Sequence, residues 1–435
     1  MRKIALMLSA LLLLGNALPD MAKADNSYYE YVILEDGTAE LTKITKAAPN
    51  IPHQIEGYTL TSIADGALTD INFQNVVIPD SVTHLGKFIL GDSNKVVSVT
   101  LPNSIIQMDG PLYGLEENQV WINDRTPNLI VDPNHPYLAT IDGVLFSKPD
   151  KRLIGYPQNR RHVVTEYDIP DGIKIIGSYA FSRTNIHDLT IPSSVTEIRE
   201  SAFAFCGTTF VINNANITRI NDYCFDGSTR IIGVSIPNTV TSIGQGAFRG
   251  CSSLQILSLP TCVTSIGDCA FQNCSSLAEL IIPEGATIGE DVFVGCYDLK
   301  SINIPNSVQN LDSNPFADCE ELSISVAEDH PIYAVIEGVL FSKVDKRLIS
   351  FPSTATIAYE VPNGIVEIGE KAFAGRKDLK AVRIPTSVTK IADDAFSGCD
   401  KLMLIVDVGS YAETYAVQQG LQYNYANRDS DWLND

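Results

Sequence analysis

The segment from Ile236 to Cys319 decides the fold, because it states one pattern four times. The successive repeats read IPNTVTSIGQGAFRGCSSLQILS (236–258), LPTCVTSIGDCAFQNCSSLAELI (259–281), IPEGATIGEDVFVGCYDLKSIN (282–303) and IPNSVQNLDSNPFADCEELSIS (304–325). The period is 22 or 23 residues. Such regular self-similarity is typical of solenoids, in which each unit buries its apolar face only against its neighbours.

The phenylalanine of each repeat shows how far the pattern extends. It recurs every 22 or 23 residues in Phe181, Phe203, Phe225, Phe248, Phe271, Phe293 and Phe316, and again in Phe373 and Phe396. Upstream, the same position is taken by Leu68, Leu90 and Tyr113. We therefore expect a column of these side chains to form the main apolar core of a solenoid covering residues 51–406.

A single repeat contains an LxxLxL stretch, as in LQILSLP at 254–260. This pattern predicts one short parallel strand per repeat, and the proline ends the strand because it has no N–H to donate. The Ile-Gly pair that follows predicts a tight turn. The predicted fold is a β-rich repeat solenoid, shaped as a horseshoe or superhelix and capped at both ends. Its parallel strands lie on the concave face, and short helical or irregular segments carrying the Phe and Cys positions lie on the convex side.

Nine cysteines in an exported chain would ordinarily indicate disulfides, but their positions indicate otherwise. Six of them share one position, three residues after the repeat phenylalanine: Cys206, Cys251, Cys274, Cys296, Cys319 and Cys399. A shared position predicts a buried column of thiols that pack as small apolar groups. The other three, Cys224, Cys262 and Cys269, make the total odd, and no CxxC pair suggests zinc.

The chain starts with a cationic Met1-Arg2-Lys3, continues with an apolar run, and reaches a small-x-small site at Ala22-Lys23-Ala24. This order predicts a secretory signal peptide over residues 1–24, cleaved before Asp25. The mature chain has no second apolar run long enough to predict a membrane span. The formal charge is −21, which disfavours nucleic acid and anionic membranes as partners.

Three further segments complete the predicted organisation. Residues 25–50 contain alternating aromatic and β-branched residues around Asp36-Gly37, which predicts an N-terminal hairpin cap. Residues 135–157 and 330–352 are near copies that contain GVLFSK and KRLI, which predicts duplicated hairpin insertions, either architectural or ligand-binding. Residues 407–435 predict a short helix that ends at Gly420 and closes the solenoid, followed by a frayed polar tail from Asn424.

The repeat pattern IPxSVTxIGxxAFxxCxxLxxVxIP resembles the BspA-type (Treponema pallidum-type) leucine-rich repeat of exported bacterial and protist surface proteins. The resemblance covers nearly all of residues 28–425, with departures at Leu68, Leu90, Tyr113 and Pro315-Phe316. It implies an α/β-type leucine-rich repeat solenoid in a surface protein that binds ligands, often in adhesion to host matrix proteins or other bacteria. It implies no catalysis and transfers no specific functional residues.

Alternation along the predicted strands identifies the outward positions of the concave sheet. The candidate ligand-binding residues are Asp188, Thr190, Ile256, Ser258, Glu279, Ile281, Ser301, Asn303 and Arg383. Ser98, Thr100, Gly233, Ser235 and Ala381 occupy equivalent positions. We expect this surface to be polar and mixed, without an aromatic ladder for stacked sugars or bases.

The search for catalytic motifs gives no support for an enzyme, and no cofactor or metal site is predicted. The SxxK match at Ser387–Lys390 is part of the SVTxI motif that belongs to the repeat itself. His135 and His330 head the two hairpin copies, where a turn role is favoured over metal binding. The favoured hypothesis is adhesion to an extracellular protein or glycoprotein. The alternatives are a structural, self-associating surface component and a secreted glycan- or nutrient-binding protein.

Overall fold

The computed structural model describes residues 28–426 except 46–47, 49, 70, 92–94, 113–127, 158–163, 312, 320 and 353–356. The chain forms two compact units, Met1–Gln158 and Asn159–Asp435, which are described separately. The predicted signal peptide and Tyr113 lie outside the described residues.

The first unit is built from short strands. They are β1 (Tyr29–Ile33), β2 (Ala39–Ile44), β3 (Gln54–Ile55), β4 (Tyr58–Ile63), β5 (Asn75–Val77), β6 (His84–Leu85), β7 (Ser98–Leu101), β8 (Gln107–Met108), β9 (Asn128–Val131), β10 (Leu138–Ile141), β11 (Val144–Ser147) and β12 (Arg152–Gly155). Strands β1 and β2 pair antiparallel around Asp36-Gly37, and the sheet continues in parallel through β4, β6 and β8. A second parallel sheet has the order β5-β7-β9.

The second unit repeats the same construction. Its strands are β13 (Val164–Asp168), β14 (Ile175–Ile176), β15 (Ile186–Ile191), β16 (Glu197–Ile198), β17 (Phe210–Asn213), β18 (Arg219–Ile220), β19 (Gly233–Val234), β20 (Ser242–Ile243), β21 (Ile256–Leu257), β22 (Ser265–Ile266), β23 (Thr287–Ile288), β24 (Ser301–Ile304), β25 (Ser323–Val326), β26 (Tyr333–Ile336), β27 (Val339–Ser342), β28 (Arg347–Ser350), β29 (Ala358–Glu360), β30 (Glu367–Ile368), β31 (Ala381–Arg383), β32 (Lys390–Ile391), β33 (Met403–Val406) and β34 (Gln422–Tyr425). The one helix of the described residues, α1 (Tyr411–Gln419), precedes β34. The predicted solenoid of parallel strands is confirmed.

Most repeats contribute two strands, whereas the sequence predicted one. The LxxLxL stretches form the sheet β13-β15-β17-β19-β21, and the dipeptide that ends in the isoleucine of VTxI forms a second sheet, β18-β20-β22-β23. The glycine after this isoleucine is needed for close approach and not for a special turn. At Gly267, which lacks a positive φ, a Cβ atom would lie 2.7 Å from the backbone nitrogen of Gln245. A side chain there would push neighbouring repeats apart.

The segment around each repeat phenylalanine is an irregular turn. Cys269 and Asn273 flank Phe271 at two residues on either side, and both adopt left-handed backbone conformations (φ 55° and 59°). An α-helix of L-residues does not tolerate such alternation, so the segment does not become helical. The repeats instead join through the turn, where the Phe271 N–H donates to the Val292 carbonyl at 3.0 Å.

The phenylalanines form the predicted buried column. Consecutive rings from Phe181 to Phe316 lie 5.1–5.8 Å apart, with interplanar angles of 9–18°. From the end of the second hairpin copy onward, Phe351 stacks on Phe373 and Phe373 on Phe396, each at 4.9 Å. Rings at these distances gain offset-stacking energy in addition to burial.

The cysteine column is also confirmed, and all nine cysteines are free. Five of the six thiols in the column donate a hydrogen bond to the carbonyl of the preceding repeat's phenylalanine, whereas Cys206 is hydrogen-bonded to Thr184 and Thr208. Cys274 donates to Phe248 O at 3.1 Å and Cys399 to Phe373 O at 3.1 Å. Burial raises the pKa of the Cys399 thiol to about 11, so the thiol form persists at neutral pH.

The C-terminal helix α1 forms where the sequence predicts it. Ser410 accepts a hydrogen bond from the Glu413 N–H at 3.2 Å, and Gly420 ends the helix in the left-handed conformation (φ 67°). The buried face of the helix places Tyr415 6.2 Å from Phe396. The predicted fraying from Asn424 is wrong for the first two residues of that tail, because β34 pairs in parallel with β33 through Tyr425.

Candidate functional site

The sheet β13-β15-β17-β19-β21 carries the candidate site. Its register places Glu166, Asp188, Phe210, Gly233 and Ile256 side by side, one from each strand. A second outward row, two residues further along, contains Asp168, Thr190 and Ile212 on the first three strands. Neighbouring strands in a sheet lie about 4.8 Å apart, so side chains in one row contact one another directly.

The outward side chains of the central strands are apolar. Phe210 is 39% exposed, Ile212 51% and Ile256 64%, whereas Val211 and Leu257, which point to the other face, are buried in the core. Single exposed apolar residues are ordinary on protein surfaces, but several together on one rigid sheet indicate an interaction site.

Gly233 shapes this apolar surface. A Cβ atom at this position would lie 3.6 Å from Phe210 Cδ1 and 3.4 Å from Ile256 Cβ, so the two side chains close over the glycine. Beside them runs an open groove of about 900 Å³. We call it the apolar groove, and its lining includes Phe210, Ile212, Gly233, Ile256, Ser258 and Cys262. The segment Pro260–Cys262, which follows β21, also lines the groove.

Acidic residues border the apolar groove on the β13 side. Asp188 lies next to Phe210, and Glu166 and Asp168 lie one strand further out. His187 is hydrogen-bonded to Asp188, with 2.8 Å between Nδ1 and Oδ1. No lysine or arginine stands at an outward position of these five strands. The border therefore presents carboxylates without a neighbouring lysine or arginine from the same two rows.

The predicted candidate residues divide among separate sheets. Ile256 and Ser258 line the apolar groove, and Asp188 and Thr190 lie on β15 beside Phe210 and Ile212. Glu279, Ile281, Ser301 and Asn303 are all exposed, and Glu279 bridges to Ser301 on β24 in another sheet. Arg383 lies on β31 in a third sheet, where its guanidinium binds Asp407 at 2.9 Å.

The expected exposure of two outward positions is wrong. Gly233 and Ala381 are buried, because neighbouring side chains cover these small residues. The expected polar and mixed surface is more apolar in the sheet β13-β15-β17-β19-β21 than the listed residues indicated. Phe210 and Ile212, which the strand alternation did not single out, are its central apolar residues. The repeat period could have identified both residues, since Phe210 and Ile212 follow Asp188 and Thr190 by 22 residues.

The hairpin copies form a second, structural feature. In the copy within the second unit, β26, β27 and β28 are antiparallel neighbours, so a third strand precedes the two that were predicted. His330 is fully buried at its start. Its Nδ1 accepts from the N–H groups of Ile332 and Tyr333, and its Nε2 lies 3.2 Å from Pro305 O. Burial lowers the pKa of His330, which favours this neutral, turn-forming state.

The described residues contain no group of three or more His, Cys, Asp or Glu side chains placed to hold a metal ion. Among the same residues, no helix has the length and apolar character needed to cross a membrane. The chemistry that this surface offers is apolar contact and carboxylate charge.

Comparison with protein families identifies the BspA type leucine rich repeat region, in six copies. The matches cover residues 50–113, 160–255, 208–323 and 349–410, which is more than half of the chain. A comparison with curated proteins gives no match.

Several solved structures are similar over most of their length. A leucine-rich repeat protein from Bacteroides ovatus is 20% identical, with a TM-score of 0.44, and the match covers 92% of this chain and 98% of that one. A leucine rich cell surface protein from Faecalibacterium prausnitzii is 22% identical, with a TM-score of 0.42 and coverage of 96% and 98%. The pneumococcal vaccine antigen PcpA is 16% identical, with a TM-score of 0.34 and coverage of 90% and 77%.

Proposed function

Because this chain belongs to the BspA-type leucine-rich repeat family, we propose that it is an exported adhesion module that binds an extracellular protein or glycoprotein. The binding surface is the apolar groove and the sheet face around it. The proposal includes no catalytic step.

The observation that carries this proposal is the exposed apolar cluster of Phe210, Ile212 and Ile256 on a rigid parallel sheet. A solenoid strand face is fixed by its neighbours on both sides, so a partner meets a preformed surface and little entropy is lost on ordering it. Aromatic and aliphatic residues at the centre of a polar surface are the usual source of binding energy in protein interfaces.

The dimensions of the sheet also suit a protein partner. Five strands at about 4.8 Å spacing give a face about 20 Å wide. A stable interface buries roughly 800 Å² on each partner, which a face of several repeats supplies. An aromatic ladder for sugar stacking is lacking in the described sheet, where Phe210 is the one aromatic residue in the two outward rows. This composition favours protein over glycan.

Export supports the same function and rests on the sequence. The predicted signal peptide places the mature chain outside the cytoplasm. Its test is N-terminal sequencing of the protein from the culture medium or cell surface, where the first residue is expected to be Asp25.

The binding test uses the purified protein on a panel of immobilised matrix glycoproteins and intact bacterial cells. Ile256→Asp places a charge in the apolar groove, and Ile336→Asp is the matched control on the hairpin, where the isoleucine is also more than half exposed. Saturable binding that is lost in Ile256→Asp and retained in Ile336→Asp supports the proposal.

Binding that is retained in Ile256→Asp and lost in Ile336→Asp would indicate that the site is on the hairpin. Failure to bind any member of the panel, together with larger species in size-exclusion chromatography, would contradict adhesion and support the self-associating surface component.

A further inference from the structure

We propose that the apolar groove binds a segment of a partner protein that carries an apolar side chain with lysine or arginine close to it on one side. This inference rests on the proposed function and specifies the chemistry of the partner. The apolar side chain enters the groove, and the cations meet the carboxylates of Asp188, Glu166 and Asp168.

The first argument is the asymmetry of charge around the groove. All three carboxylates lie on the β13 side, in strands β13 and β15, and the outward positions of β17 and β19 carry no charge. On the other side, beyond β21, Glu279 is the exposed residue one repeat after Ile256. A bound segment therefore meets three carboxylates at the β13 end and one at the opposite end, so the negative potential is stronger at the β13 end. Complementary charge at that end steers the encounter and fixes the direction in which the segment lies.

The spacing of the strands sets the spacing in the partner. Asp188 lies one strand from Phe210, about 5 Å away, and Glu166 lies two strands away, at about 10 Å. An extended segment advances about 3.3 Å per residue. The cations are therefore expected two to four residues from the apolar side chain, within the reach of lysine and arginine.

The same charges argue against a second copy of this chain as the occupant. A symmetric dimer brings the same surface of both subunits together, so it would place the acidic borders close to each other. The chain carries a formal charge of −21, and like charges at an interface oppose association. The acidic border therefore attracts a cationic partner and repels a second copy of this chain.

The test is a selection from a phage library of random 12-residue peptides on the immobilised full protein at low salt. The expected pool contains an apolar residue with lysine or arginine enriched on one side of it, at two to four residues. The best peptide is then measured by fluorescence anisotropy on three proteins: the unchanged protein, the charge reversal Glu166→Lys with Asp188→Lys, and a control with the same charge change at Glu200 and Asp400, which are exposed and lie off this sheet.

The charge reversal is expected to weaken binding about tenfold or more, and the control to change it less than about threefold. Equal effects of the two variants, a pool without enrichment of lysine and arginine, or no selected peptide would each overturn the inference. Failure here is distinguishable from failure of the proposed function. If a panel protein binds through Ile256 and ignores the charge reversal, adhesion stands and the cationic partner is wrong. If peptides of the expected kind are selected while no panel member binds, the groove chemistry stands and adhesion to that panel is wrong.

Discussion

Replacement of Phe271 by alanine tests the physical basis of this solenoid directly. The Phe271 ring is fully buried and stacks on Phe248 at 5.5 Å and on Phe293 at 5.8 Å. The substitution removes one member from the middle of the column and leaves a cavity bounded by two rings. These rings are held by their own repeats, so the cavity cannot close by a local shift.

The expected loss in the free energy of unfolding is about 4–5 kcal/mol. Removal of a buried phenylalanine ring costs about 3–5 kcal/mol from lost transfer energy and the cavity left behind. The upper part of this range applies because two stacked contacts are lost together, each worth about 0.5–1.5 kcal/mol beyond burial. The matched control is Phe205→Ala, where the ring is 36% exposed and lies under the Arg183 guanidinium. Its expected cost is about 1–2 kcal/mol.

Urea denaturation gives the two free energies, and hydrogen exchange with mass spectrometry locates the damage. In Phe271→Ala, protection is expected to fall in the turns of the same and adjacent repeats, where the N–H groups of Phe248 and Phe271 donate to the next repeat. Protection around Phe396 is expected to stay, because each repeat contacts only its neighbours. A loss no larger than that of Phe205→Ala, or an even loss of protection through residues 164–426, would refute the reasoning.

Three further predictions concern a buried histidine, the cysteines and a close-packed glycine. Burial lowers the pKa of His330, so the contribution of His330 to stability is complete above the unfolded pKa of about 6.5. This contribution is lost as the pH falls below about 6.5 towards the folded pKa. In urea titrations, His330→Gln should therefore flatten the dependence of the unfolding free energy on pH in this range, and an unchanged slope would contradict the prediction. A maleimide should label exposed Cys262 in the native protein and buried Cys274 only after denaturation; early labelling of Cys274 in peptide mass maps would show that the thiol column is open. Gly267→Ala should lower the unfolding free energy by about 1–3 kcal/mol, because the added Cβ would lie 2.7 Å from a backbone atom. Gly233→Ala should cost less, because the nearest contact of its Cβ is 3.3 Å. Equal melting temperatures of the two variants would disprove the close-approach argument.

Much of the repeat could be predicted because many positions make the same contact in several units. The thiol of Cys274, for example, bonds the Phe248 carbonyl just as Cys399 bonds that of Phe373. A position with one environment selects one residue type, so the column appears in the sequence as a period. The second strand of the repeat was missed because two residues are too few to show alternation, and pairing with a neighbouring repeat is what makes them a strand.

The sequence by itself determined the solenoid, its period, the phenylalanine and cysteine columns, the N-terminal hairpin and the C-terminal helix, because local spacing and side-chain size encode all of them. Only the tertiary structure decided which outward residues form a site. Phe210, Gly233 and Ile256 come from three repeats and are far apart in the chain, and the parallel register sets them side by side. Whether an outward position is exposed depends on the side chain one strand away, so Gly233 is buried while Ile256 is open to a partner.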